Sequence, residues 1–223
     1  MQFMKLLMKL EDLTSKPVCK LCFNNFYPNT FNSFFNKTHL LCPKCFKKLK
    51  FKMEKIKFLG TNLYSLAPYN EEIRALIIQY KENYDYELKD LFLLYYLPFL
   101  KIRFHKYKIV LVPSNLKKIQ DRGFNHLLEI FKPLNLEILD VLEKENEQEQ
   151  KKSNRETRYK IAFKFKDLHL IKNQRILLVD DVITTGSSLK NAYKILLKGQ
   201  AKKIDILVIS HDNPLDYYSK IAL

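Results

Sequence analysis

The chain has no apolar run long enough to cross a bilayer. Its longest, LFLLYYLPFL at residues 91–100, falls well short of the roughly twenty residues a spanning helix needs, and Pro98 interrupts it. This segment reads as a buried helix end. The first 20 residues show neither a long apolar stretch nor a small-residue cleavage site, so no secretory leader is read there and a cytoplasmic location is expected. Cysteine is also scarce, with four in the chain, all between residues 19 and 45. Without an export signal, that pattern points to metal ligation rather than to a disulfide framework. Acids are outnumbered, 24 against 39 Lys and Arg, which leaves a net charge of +15. Residues 1–66 hold 12 of the cations and 3 of the acids, so +9 sits in the first third. Such a head suits a polyanion, either nucleic acid or an anionic membrane surface. The same lysines equally fit a solvated surface in a Lys-, Asn- and Phe-rich composition. At 47% hydrophobic and 28% charged residues, the composition excludes a disordered chain and matches a soluble globular one.

Along the chain, Phe3, Leu6, Leu7 and Leu10 fall on one face of a short amphipathic helix over residues 1–13. Residues 71–97 read as one or two helices carrying Ile73, Leu76, Ile77 and Tyr80 on one stripe, with a break near Asn83 and Asp85. From residue 106 the pattern changes. Ile109–Val112 is a continuous β-branched and aliphatic run stopped by Pro113, as in a parallel strand buried on both faces. A helix follows over roughly 121–132. Residues 143–158 contain ten charged residues and almost nothing apolar, and read as a long loop. Tyr159, Ile161, Phe163 and Phe165 alternate as in a half-exposed strand. Ile176–Val179 and Ile204–Ile209 read as buried strands on either side of a helix over 187–198, a βαβ unit. The expected organisation is a cysteine-bearing module over residues 1–60 and an α/β domain with a parallel sheet flanked by helices over 61–223.

The segment from Arg175 to Leu189, RILLVDDVITTGSSL, carries the chemistry. A strand delivers Asp180 and Asp181 to the carboxyl edge of a sheet, where open α/β folds bind ligands. Two carboxylates accept hydrogen bonds from the vicinal hydroxyls of a ribose, and can hold a hydrated Mg ion. Thr184, Thr185, Gly186, Ser187 and Ser188 then form a small hydroxyl-rich loop running into a helix N-terminus, whose unpaired N–H groups suit a phosphate. Gly186 permits a close backbone approach. The order diol then phosphate resembles the signature of type I phosphoribosyltransferases. That resemblance implies binding of 5-phosphoribosyl-1-pyrophosphate, with Val112, Pro113, Ser114 and Asn115 as the pyrophosphate loop. It also implies a lid over residues 143–158, where Lys152, Arg155 and Arg158 would meet pyrophosphate charge. At Thr184 some purine-salvage members carry an aspartate that serves as base, so the motif here supplies no general base.

Cys19-Lys-Leu-Cys22 and Cys42-Pro-Lys-Cys45 are two CxxC pairs separated by 19 residues. Two intervening residues let both thiolates of a pair reach one ion, and two pairs close a tetrahedral sulfur site, as in a zinc ribbon or treble-clef module. A structural Zn is expected. His39 lies close in sequence to the second pair and reads as a surface histidine. The aromatics Phe23, Phe26, Tyr27, Phe31, Phe34, Phe35, Phe46 and Phe51 lie among Lys44, Lys47, Lys48, Lys50 and Lys52. Most are expected to pack around the metal; exposed ones are placed to stack bases of single-stranded DNA.

Taken with Tyr80-Lys81-Glu82-Asn83 and Arg122-Gly123-Phe124-Asn125, the cysteine pairs and the Asp-Asp loop resemble the ComF family, also called ComFC. These are competence-associated phosphoribosyltransferase-like proteins. From the residues alone, Gly123 and Asn125 read only as local helix caps. The chain departs from the family pattern in three places. A single proline, Pro113, stands in the pyrophosphate-loop strand, His126 stands where Gln commonly follows the Arg-Gly-Phe-Asn block, and Arg158 takes the place of a lid Asn, with Gln148 or Gln150 and Arg155 matching. The resemblance implies handling of incoming single-stranded DNA in natural transformation, with DNA-uptake proteins at the cytoplasmic face of the inner membrane as partners. Two alternatives remain open: an active salvage or amidotransfer phosphoribosyltransferase, and a regulator whose ligand tunes other contacts.

Overall fold

Runs of Val, Ile and Leu too apolar to face water on either side must be covered on both, and here they form the middle of one sheet. The computed structural model describes residues 16–27, 40–144, 163–167 and 169–212. The chain divides into two units, Met1–Lys50 and Phe51–Leu223. The strand at Glu54–Phe58 belongs to the sheet of the second unit, so this division falls earlier than the residue-60 boundary expected above.

In the second unit β1 (Glu54–Phe58), β2 (Thr61–Pro68), β3 (Lys108–Leu111), β6 (Arg175–Ile183) and β7 (Lys203–His211) form a sheet in the order β1-β2-β7-β6-β3. β2, β7, β6 and β3 are mutually parallel, and β1 is antiparallel to β2 at the edge. Ile176–Val179 and Ile206–Ile209 are fully buried, as their unbroken apolar sequence requires. Each such side chain contributes roughly 1.5–3 kcal/mol on leaving water. A separate ribbon pairs β4 (Leu142–Lys144) with β5 (Phe163–Phe165). Phe163 and Phe165 thus form a short strand, whereas Tyr159 and Ile161 lie outside the described residues, as do the helix expected over 1–13 and most of the 143–158 loop.

The helix expected over 187–198 stands at those bounds, whereas the stretches 71–97 and 121–132 are divided into shorter helices. The first unit contains α1 (Pro43–Leu49). In the second, α2 (Glu71–Lys81) buries Ile73, Leu76, Ile77 and Tyr80 and is capped by Asn70, whose Oδ1 accepts from Ile73 N. The 91–100 run is not one helix end. α3 (Lys89–Leu93) buries Leu91, Phe92 and Leu93, and α4 (Leu97–Phe104) carries Pro98 in its first turn, where a missing N–H costs nothing. The helix expected over 121–132 is two: α5 (Leu116–Arg122) and α6 (His126–Phe131). Gly123, at φ 80°, ends the first in a left-handed cap, and the Asn125 side chain accepts from Leu127 N and Leu128 N to start the second. α6 packs against α3 and β6. α7 (Ser187–Lys198) buries Leu189, Ala192, Tyr193 and Leu196, an i, i+3, i+4, i+7 stripe, and packs against β6 and β5.

At the amino end of β7, Asp205 is fully buried and satisfied by Tyr107 Oη at 2.7 Å and Asn62 Nδ2 at 3.1 Å, with Arg103 and Lys203 Nζ at 3.6 and 3.5 Å. The acids of β6 lie toward the other end of the parallel strands.

Candidate functional site

Strand alternation separates the two acids. Over residues 180–183 the side chains run half-buried, buried, half-buried, buried, so Asp180 lies on the open side of β6 and Asp181 on the covered side. Asp180 Oδ1 accepts from the Asp181 backbone N–H at 2.9 Å, and its Oδ2 takes no hydrogen bond from a described residue. Asp181 is fully engaged. Its Oδ1 accepts from Val182 N at 2.6 Å, and its Oδ2 accepts from Lys81 Nζ at 2.6 Å and lies 2.7 Å from His126 Nε2. Sequence reasoning gave the pair one shared role; the structure gives them different surroundings.

The groups around Asp181 come from the two blocks that carried the family resemblance without a role of their own, and from His126, which follows the second. Lys81 ends α2. Arg122 ends α5, and its Nε donates to the Lys81 carbonyl at 2.7 Å, one of the carbonyls left unpaired at a helix C-terminus. Arg122 Nη1 lies 3.1 Å from His126 Nδ1. Tyr80 Oη donates to the His126 carbonyl at 3.1 Å, and the Tyr80 and Phe124 rings meet at 5.3 Å. Arg122 and His126 are themselves buried. Local capping is therefore only half the meaning of Arg-Gly-Phe-Asn. The caps turn the chain so that Arg122 and His126 both face inward toward β6.

Electrostatics follow this arrangement. Burial alone would raise Asp181, but the His126 hydrogen bond and the Lys81 charge prevail and hold its carboxyl below the usual carboxylate range. Burial, and then the neighbouring Asp181 charge, push Asp180 well above that range. Burial lowers His126, against the pull of Asp181, and so favours the neutral imidazole. An arginine only donates, so Nδ1 is the accepting nitrogen and Nε2 carries the proton given to Asp181.

Beyond β6, Thr184 and Thr185 are exposed before α7, whose first residues, Ser187 and Ser188, are exposed and half-buried. Thr185 Oγ1 lies 3.0 Å from Ser187 Oγ and accepts from Ser187 N at 3.4 Å. Gly186 precedes the helix at φ 73°, and a Cβ there would stand 2.9 Å from Phe58 Cζ. The close approach that demands glycine is thus to an aromatic ring of β1. Val112 N donates to Val179 O at 3.0 Å, which sets the segment Val112-Pro113-Ser114-Asn115 beside the strand that carries the acids. Val112 is buried, Pro113 and Ser114 are half-buried, and Asn115 caps α5 by accepting from Lys117 N at 2.9 Å. Arg155 and Arg158, named for the lid, lie outside the described residues, as do Lys152, Gln148 and Gln150.

In the first unit the sulfur atoms of Cys19, Cys22, Cys42 and Cys45 all lie within 4.8 Å of one another. Cys22 Sγ and Cys42 Sγ are 3.8 Å apart. A tetrahedral Zn with bonds of about 2.3 Å sets its sulfurs about 3.8 Å apart, so the four residues fit that ion. Phe23 N donates to Cys19 O at 2.8 Å, closing the first pair into a turn. Cys42 caps α1, its Sγ accepting from Cys45 N at 3.5 Å. Burial and then the neighbouring cysteine sulfurs push the Cys45 thiol far up; a cation among them would reverse this. Phe23 and Tyr27 are exposed at 68% and 71%, and Lys44, Lys47, Lys48 and Lys50 are exposed as well. His39, Phe31, Phe34 and Phe35 lie outside the described residues. Among the described residues no helix is long and apolar enough to cross a membrane.

Residues 122–221 match the family model of the phosphoribosyl transferase domain. The Competence protein ComFC of Streptococcus pneumoniae is 28% identical over 174 residues, covering 73% of this chain and 77% of that protein. Among solved structures, a hypoxanthine phosphoribosyltransferase of Staphylococcus aureus aligns with TM-score 0.38 at 11% identity, over 55% of this chain and 62% of that one. An adenine phosphoribosyl transferase of Trypanosoma brucei, in complex with AMP, pyrophosphate and ribose-5-phosphate, aligns with TM-score 0.38 at 11% identity, over 67% and 83%.

Proposed function

We propose that the chain is a ComF (ComFC) family member that binds 5-phosphoribosyl-1-pyrophosphate with Mg and acts in DNA uptake during natural transformation; the match to the phosphoribosyl transferase domain, the similarity to a ComFC protein and the four-cysteine N-terminal cluster support this reading. The observation that carries the ligand reading is Asp180. Its carboxylate is half-buried, has an oxygen that takes no hydrogen bond from a described residue, and stands four residues before the Thr-Thr-Gly-Ser-Ser segment, whose Thr184, Thr185 and Ser187 are exposed and which opens a 12-residue helix.

Each group has a task in that reading. The free oxygen of Asp180 accepts from a ribose hydroxyl or from the water shell of Mg, which needs one or two carboxylates and keeps several waters. The N–H groups at the start of α7 and the hydroxyls of Thr184, Thr185, Ser187 and Ser188 receive the 5-phosphate. Ser114 and Asn115, after β3, would receive the pyrophosphate, and Arg155 and Arg158 would close over it. Binding rather than transfer is favoured because both nitrogens of His126 are committed, to Arg122 and Asp181, and the loop offers Thr184 where a base would be needed. In the head, Zn held by Cys19, Cys22, Cys42 and Cys45 would be structural. Exposed Phe23 and Tyr27 would supply stacking faces, and the exposed lysines of the same unit phosphate contacts, for single-stranded DNA, worth about 1–3 kcal/mol per stacked base. DNA-uptake proteins at the cytoplasmic face of the inner membrane would be its partners.

Thermal melting with and without phosphoribosyl pyrophosphate and Mg tests the ligand. At a hundredfold excess over Kd the native state gains about 2.7 kcal/mol, roughly 5–10 °C in a chain of this length. Asp180→Asn should keep its own melting temperature and lose the shift. An unshifted wild type overturns the reading. Base-dependent pyrophosphate release would instead mark an active transferase. Salt-sensitive oligonucleotide binding that survives Ala at Lys47, Lys48 and Lys50 would count against DNA contact by this face.

A further inference from the structure

In the sequence Lys81 is only one member of the Tyr-Lys-Glu-Asn block, yet in the structure it is the cation that meets Asp181. Its ammonium has three donors, and one goes to Asp181 at 2.6 Å. No other partner of Lys81 Nζ is found among the described residues, and the side chain is 25% exposed. A lysine on a four-carbon stem does not hold one direction unaided. Here Asp181 holds it, and Asp181 is in turn held from behind. Its two oxygens take Val182 N, Lys81 Nζ and His126 Nε2, so it cannot swing toward a ligand without giving up bonds made on the covered side of β6.

The contact behind Asp181 has a polarity. The carboxylate only accepts, so the group at position 126 must donate to it. Arg122 only donates, so the same side chain must accept on its other side. Neutral imidazole does both, with Nδ1 toward Arg122 and the Nε2 proton toward Asp181. A glutamine amide does both as well, with its oxygen toward Arg122 and its nitrogen toward Asp181. Leucine does neither. Arg122 is fixed independently, through the bond from Nε to the Lys81 carbonyl, which ties the start of this chain of contacts to the residue at its end.

We propose that Arg122, His126 and Asp181 form a positioning relay that aims Lys81 at the anionic part of the ligand, leaving Asp180 as the acid that meets the sugar hydroxyls. This rests on the ribose-phosphate reading of the site and assigns it a binding cation outside the strand-loop-helix motif. Arg122 and His126 act through Asp181 and need touch no ligand. The relay also accounts for the convergence of three segments far apart in sequence, ending at Lys81, Arg122–His126 and Asp181.

Two measurements on the full-length, zinc-loaded protein test it. The first needs no ligand. Histidine labelled with nitrogen-15 reports its tautomer by NMR, and the His126 signals are identified among five histidines by their disappearance in His126→Gln. At neutral pH we expect the Nε2–H form, degraded to a mixture in Arg122→Met. An Nδ1–H or doubly protonated ring in the wild type overturns the relay. The second is titration with phosphoribosyl pyrophosphate and Mg. Lys81→Met and His126→Leu should each weaken binding by about tenfold or more, the scale of a lost hydrogen bond to a charged group. His126→Gln should restore affinity to within about threefold, where a role in packing alone would favour Leu over Gln. Circular dichroism and melting curves establish that each variant is folded. If folded His126→Leu binds as the wild type does, the relay is wrong. If the wild type itself does not bind, the ribose-phosphate reading fails, a result distinguishable from the first because the tautomer is read without ligand.

Discussion

Replacing Gly186 by alanine probes the loop most directly. Two costs arise, and the structure separates them. The first is conformational: at φ 73° an L-residue gives up roughly 1–2 kcal/mol. The second is steric. The new Cβ would stand 2.9 Å from Cζ and 3.1 Å from Cε2 of Phe58, while Ile183 Cδ1 at 3.5 Å is an ordinary contact. Phe58 is fully buried, so its ring has little room to withdraw, and overpacking of this kind costs about 1–3 kcal/mol. Together Gly186→Ala should lose about 2–5 kcal/mol, roughly 4–20 °C in melting temperature. Phe58→Leu removes the two clashing carbons and leaves the backbone cost. Urea unfolding of the wild type, both single variants and the double variant forms a cycle in which the steric part appears as coupling of about 1–3 kcal/mol. If the two changes add within about 0.5 kcal/mol, the ring is not what forbids a side chain at 186. A Gly186→Ala loss under about 1 kcal/mol refutes the backbone argument as well.

Further outcomes follow from the buried acids and the thiols. Asp181 is held below its ordinary range, so the folded state releases this proton more readily than the unfolded one. The stability this provides is present above the unfolded value of about 3.9 and is lost as pH falls toward the folded value. Lys81→Met removes a cause of that depression. The stability gap between the two proteins should be largest at neutral pH and should narrow below about pH 4, read by urea midpoints in a His126→Gln background so that the imidazole does not titrate. A gap independent of pH would contradict the ion pair. Changing both acids to alanine should cost stability as well as binding, since Asp181 leaves Lys81 and His126 without their acceptor, whereas Asp180→Asn should spare the fold. Cys42→Ser keeps a helix-capping side chain before α1 but lacks the thiolate, so Zn content by elemental analysis should fall while the cap is retained. Unchanged Zn would remove Cys42 from the ligand set.

Local patterns made part of this molecule legible. The run Ile176–Val179, the two acids, the Thr-Thr-Gly-Ser-Ser loop and the helix over 187–198 lie contiguous in the chain, and their elements stand where apolar continuity and helix-start chemistry put them. The hairpin of β1 and β2 was missed. Its edge strand alternates Lys with apolar residues, and its turn at Leu59 and Gly60 places both residues at positive φ, 53° and 78°. Leucine is a poor marker for such a turn, and Gly60 alone gave too little signal. The split of the 121–132 helix needed Gly123 and Asn125 to be read as a cap ending one helix and a cap starting the next. The pairing of Lys81 with Asp181 spans 100 positions, and no periodicity of a single chain reports a contact of that range. The signal available was a set of polar residues, Lys81, Arg122 and His126, beside apolar stripes that should otherwise have been covered by more of the same.

The strand order β1-β2-β7-β6-β3 places the last described strand at the middle of the sheet. The β1–β2 hairpin and the β3–β6 pair share no backbone ladder; β7 alone joins them. A nascent chain leaving the ribosome therefore carries two half-sheets with exposed edges until residues 203–211 emerge. The acids and the phosphate loop, although already synthesised, must wait for that closing strand before they stand on a finished platform.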